Sequence, residues 1–177
     1  MASSESILEA RLKRLARDIE ALAQKDKTSL RRTQEIGDLR RRAAAELYNV
    51  CAGFVDAINS LLPQPELTLD PPQFGADSFH DDAPNLIQMN VRGRILQIEF
   101  ETTPELISTE DFRVPYTLSG AVRAFNQALL DKDLIEEQLL FYTIEKQRAM
   151  WRFFDARTYR SGEFGQEYLI SLMEQLV

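Results

Sequence analysis

The sequence is poor in the side chains that most often carry chemistry. Cys51 is its only cysteine and His80 its only histidine. A single cysteine excludes an internal disulfide and any cysteine-based zinc cage, and it points to a cytoplasmic setting. His80 lies in Asp77-Ser78-Phe79-His80-Asp81-Asp82, and one imidazole is short of the nitrogen and sulfur donors a transition-metal site asks for. Asp81 and Asp82 lack the ligand spacing and the glutamate of an EF-hand. No Ser-His-Asp order can be anchored on this histidine, and the seven glycines form neither a P-loop nor a dinucleotide fingerprint. No catalytic, cofactor-binding or metal-binding residue is therefore assigned, and no cofactor is expected. No apolar run approaches the roughly 18 residues of a membrane helix. Met1-Ala2-Ser3-Ser4-Glu5 does not open a secretory signal, so no membrane partner is expected.

Glycine and proline are missing where a long helix would need them missing. Neither occurs before Gly37, and all seven prolines lie beyond residue 62, four of them between Pro63 and Pro72. Charge divides the same way. Residues 1–50 hold 11 Lys/Arg and 8 Asp/Glu, whereas the remaining 127 hold 10 and 20. The net charge of −7 argues against nucleic-acid binding through overall charge. We read a helical association segment over 1–45 and an α+β domain over 46–177.

Leu8, Leu12, Leu15, Ile19 and Leu22 are spaced 4, 3, 4, 3, the a/d seam of a heptad pattern. The frame continues through Asp26, Ser29, Thr33, Ile36, Arg40, Ala43, Leu47, Val50 and Phe54 without a stutter. One helix from about Ser4 to Leu62 is favoured over a hairpin turning near Lys27-Thr28-Ser29, because a turn gives the frame no reason to persist. Before Asp26 the seam is narrow and flanked by charge, as in helix-to-helix pairing. After Ala45 it widens to Leu47, Val50, Cys51, Phe54, Val55, Ile58, Leu61 and Leu62, a face fit for a sheet. Cys51, on that stripe, reads as a core residue rather than a nucleophile.

Two hairpins pass a parity test. If Arg92-Gly93 is a turn, Met89 meets Leu96 and Ile87 meets Ile98, while Gln97 and Glu99 take the other face. If Lys146-Gln147 is a turn, Ile144, Tyr142 and Leu140 meet Ala149, Trp151 and Phe153. A short strand is expected at Leu67-Thr68-Leu69. Pro115 to Asn126 is read as a strand, although Ala121, Val122, Phe125, Ala128 and Leu129 also satisfy helical spacing. Tyr168, Leu169, Leu172, Met173 and Leu176 predict a closing amphipathic helix.

The sequence thus predicts an α+β fold: a long N-terminal helix, coiled-coil-like in its first half, packed on a four- to five-stranded antiparallel meander and closed by a C-terminal helix. The expected core face is Val50, Phe54, Ile58, Met89, Leu96, Ile98, Tyr142, Trp151 and Phe153. The expected function is non-enzymatic: a protein–protein interaction or assembly module that pairs through Leu8, Leu12, Leu15, Ile19 and Leu22, as a homo-oligomer or with a helical partner. The acidic domain would face a second protein. One competing reading is a small-ligand binder or enzyme with a pocket between sheet and helix. For it, Glu136 and Glu137 are candidate acid/base groups, and Arg157, Tyr159 and Arg160 a candidate anion or partner contact, in a loop ahead of a helix N-terminus. The other is nucleic-acid binding by a basic patch of Arg31, Arg32, Arg40, Arg41 and Arg42, which lacks interleaved aromatics or glycines. Heptads and hairpins recur on too many folds for analogy to decide among these.

Overall fold

The computed structural model describes residues 4–107, 116–126 and 136–177. Two compact units emerge, residues 1–39 and 40–177. Helix α1 runs without interruption from Ser4 to Leu61. At the suspected break the Thr28 hydroxyl donates backward to the Gln24 carbonyl at 3.0 Å, and Thr33 does the same to Ser29 at 3.1 Å. A hydroxyl used this way satisfies a carbonyl within the helix instead of capping a new one.

Seven strands follow: β1 (Leu67–Asp70), β2 (Asn85–Val91), β3 (Arg94–Ile107), β4 (Tyr116–Asn126), β5 (Glu136–Glu145), β6 (Arg148–Asp155) and β7 (Arg160–Glu163); α2 (Gln166–Leu176) closes the chain. They form one antiparallel meander in chain order. Four or five strands was therefore an undercount. β1 and β7 have four residues each, and Arg160-Ser161-Gly162-Glu163 has no apolar alternation to betray it. Both sit at the sheet's edges, where short and charged strands discourage further pairing.

The two hairpins fall in the expected register, with Met89 opposite Leu96 and Tyr142 opposite Trp151. Arg92 (φ 52°) and Gly93 (φ 84°) make one turn, and Lys146 (φ 46°) and Gln147 (φ 66°) the other. Positive φ at both central residues matches the right-handed twist of the strands. The second turn achieves it without glycine. β4 is a strand, as read, because it fills the sheet between β3 and β5. The helical alternative's Ala128 and Leu129 lie outside the described residues.

Residues 40–61 of α1 belong to the domain's core. Ala43, Ala44, Leu47, Tyr48, Cys51, Phe54 and Val55 are buried. Four expectations for this face change. Val50 and Ile58 are only half-buried, because the covered face centres on 44, 47, 51 and 54. Leu61 is 83% exposed and Leu62 is also exposed. Asn59 already holds the edge strand, donating to the Leu67 carbonyl at 2.8 Å and accepting from the amides of Glu66 and Leu67. On the sheet, one row across five strands reads Phe100, Gly120, Leu140, Phe153, Gly162. Phe153 is half-buried rather than enclosed: its ring stacks on Tyr168 of α2 at 4.0 Å, and its neighbour in the row is a glycine.

Gly120 has a steric reason. A Cβ there would lie 2.0 Å from the Glu99 carbonyl oxygen and 2.7 Å from Cα of Phe100. Cα and Cβ of Phe100 occupy that space, and the Phe100 ring packs edge-on to Trp151 at 5.3 Å. Gly120→Ala is expected to destabilise the domain by roughly 2–3 kcal/mol or more, as overpacking against backbone does. Gln147→Gly, relieving a left-handed residue, is expected to stabilise it by up to about 1 kcal/mol. Urea unfolding of both variants checks the pair, and a neutral Gly120→Ala would contradict the steric account.

Candidate functional site

The seam lies on the first unit. Leu8, Leu12, Leu15, Ile19 and Leu22 are 55–58% exposed, and Ile7 and Leu30 are similar. Their local support is sparse. Lys13 pairs with Glu9 at 2.6 Å and Arg31 with Glu35 at 3.2 Å, both one turn apart and both largely exposed. Such pairs contribute about 0.3–0.5 kcal/mol each. Geometrically this is an exposed leucine stripe on a helix whose one-turn ion pairs add little to its stability.

The five arginines of the basic patch are not used alike. Arg31 is spent on Glu35. Arg32, Arg41 and Arg42 are exposed. Arg40 instead turns into the domain. Its Nε donates to the Thr117 hydroxyl at 2.8 Å, and Nη2 donates to the Thr103 carbonyl. Thr117 and Thr103 are buried, so Arg40 ties α1 to β3 and β4. Burial lowers its pKa, and the nearby Asp81 carboxylate opposes that shift. The heptad frame marked this position as polar without showing that its partner is the chain's own sheet.

Among Arg157, Tyr159 and Arg160 the structure separates the tyrosine from the arginines. The loop is a tight turn followed by β7, so the trio does not lead into a helix N-terminus as expected: Glu163, Phe164 and the N-capping Gly165 intervene before α2. Tyr159, at φ 57°, sits edge-on to Phe154 at 6.2 Å and is exposed. Arg157 and Arg160 line a cavity of about 520 Å³ between β5–β7 and α2. Asp155 organises the turn by accepting from the Arg157 amide at 2.9 Å, with Arg157 Nε at 3.7 Å. Those bonds, led by the Arg157 amide, hold its carboxyl below the usual carboxylate range. The cavity floor is the Phe153–Tyr168 stack, and the Tyr168 hydroxyl donates to Gln138. Glu163 lines it from β7, and Glu167, Ser171 and Gln175 line the α2 side at i, i+4, i+8.

Glu137, proposed from sequence as an acid or base, pairs with Arg123 at 2.7 Å, and Arg123 also approaches Glu99 at 3.7 Å. The side chain of Glu136 lies outside the described residues. Cys51 is buried, and burial pushes its thiol up to about 12, so at neutral pH it is a protonated core side chain. His80 is exposed and uses its backbone amide to bond to Asn85 at 2.8 Å. Among the described residues no group of three His, Cys, Asp or Glu is placed to hold a metal, and no helix is long and apolar enough to cross a membrane. Neither a family model, nor a curated protein, nor a solved structure matches the chain.

Arg40 offers a test of its own. Arg40→Met should destabilise the domain by about 2 kcal/mol, since it strips a charged donor from the buried Thr117 and Thr103 oxygens. The same substitution should leave any self-association unchanged. Thermal melts beside sedimentation velocity decide the matter, and unaltered stability with altered association would return Arg40 to the seam.

Proposed function

We propose that the protein is a non-enzymatic assembly module whose N-terminal helix pairs with a second copy. The observation that carries this reading is the exposed stripe Leu8, Leu12, Leu15, Ile19 and Leu22, in heptad spacing on an unbroken helix. Full burial of each would contribute roughly 1.5–3 kcal/mol, set against the cost of bringing two chains together. Three heptads are marginal for a coiled coil, so the expected dimer is weak to moderate. Arg40, which shares the heptad frame with Asp26, is used inside the domain, so the seam alone supports neither parallel nor antiparallel pairing. Nucleic-acid binding receives less support, because Arg40, one of the five patch arginines, is held by the sheet and Arg31 faces Glu35.

Sedimentation equilibrium at 5–100 µM (about a 20-fold range) compares the wild type with Leu15→Glu/Ile19→Lys. Concentration-dependent dimerisation lost in the double variant is the expected result. A wild type monomeric throughout would remove self-association.

A further inference from the structure

We propose that the cavity between β5–β7 and α2 binds a small zwitterion with one carboxylate and two cationic groups, the chemistry of a dibasic amino acid. Among the described residues, five ionisable side chains with formal charge at neutral pH line the cavity: Arg157, Arg160, Asp155, Glu163 and Glu167. Asp155 and Arg157 are engaged with each other through the turn, so their charges largely cancel locally. Arg160, Glu163 and Glu167 remain. Among the described residues they form no ion pair within 4.0 Å, although opposite signs line one cavity of about 520 Å³. Opposite charges held apart around a polar space complement a ligand that carries both signs. The described lining is negative by one, which favours a ligand positive by one.

The positions suit distinct tasks. Arg160 projects from edge strand β7, and its guanidinium presents the planar fork that carboxylates prefer. Glu163 and Glu167 sit at the junction of β7 and α2 and would each take an ammonium or guanidinium group. Gln138, Ser171 and Gln175 supply neutral hydrogen-bonding groups around them. The floor is held in place independently of any ligand. Tyr168 bonds to Gln138 and stacks on Phe153, and a Cβ at Gly162 would come within 3.0 Å of that ring. A site on rigid elements, already shaped, loses little to reorganisation on binding. The cavity is separate from the pairing helix, because every described lining residue lies in the unit formed by residues 40–177.

Amide chemical-shift titrations of the full chain with L-arginine and L-lysine test it, with L-glutamate and cadaverine as comparison probes. The expected result is saturable shifts confined to Gln138, Arg160, Glu163, Glu167 and Ser171, with both comparison probes at least about tenfold weaker, since each lacks one of the required charges. Arg160→Gln and Glu167→Gln change exposed side chains, and each should weaken L-arginine binding about tenfold or more while leaving the thermal melt unchanged. The Leu15→Glu/Ile19→Lys variant should bind as the wild type does. Absence of saturation by 10 mM (about 100-fold above a ligand of useful affinity) would overturn the proposal. So would equal affinity for cadaverine, or binding indifferent to both cavity variants.

Discussion

The hydrogen bond from the Trp151 indole to the Ala43 carbonyl, 2.7 Å long and buried, sets the distance between helix and sheet. A helix carbonyl already accepts a bond from within its own helix, so a second donor must approach closely and from the side. Ala43 and Ala44, both fully buried, permit that approach where larger residues would hold the helix off. Trp151 in turn packs against the ring of Phe100, whose backbone closes on Gly120 where a Cβ would not fit. Three features with no proximity in sequence thus fix one another: two small residues on α1, a glycine in β4 and an indole in β6. Arg40 adds a polar tie one helical turn earlier, and Asn59 clips the edge strand at the other end.

Helix α1 consequently carries two kinds of residue under one heptad frame. From Arg40 onward its burial is accounted for by the sheet of its own chain. From Leu8 to Leu22 its leucines are met by no residue of the described structure that buries them, and short-range ion pairs are too weak to compensate. That contrast within one element is the physical basis for reading the first stretch as an association surface.

The parts legible in the sequence are those set by short-range periodicity. Met89–Leu96 and Tyr142–Trp151 follow from alternation around two turns, because a one-residue slip would reverse every side chain. The continuity of α1 follows from an unbroken 4, 3 spacing. Strand β7 was not legible: its four residues pair through backbone alone, and Ser161 and Gly162 resemble a helix-start signal. The widened stripe was read too far, to Leu62, because periodicity records which face a residue occupies but not how much of that face is covered. Arg40 shows the same limit, since its partners lie 63 and 77 positions away. For the cavity, Arg157 and Arg160 were noticed as a cluster of charge. Their opposition to Glu163 and Glu167 depends on the reversal between β6 and β7, which the sequence did not announce.

The central claim is that the seam half of α1 is stabilised by association while the domain half is stabilised by the sheet. Amide hydrogen exchange measured residue by residue at two protein concentrations, about 10 and 500 µM, tests it most directly. Protection at Leu12, Leu15 and Ile19 should rise steeply with concentration, while Leu96, Val122 and Leu140 in the sheet stay constant. Protection of the seam that is equal at both concentrations, whether high or absent, would contradict the claim.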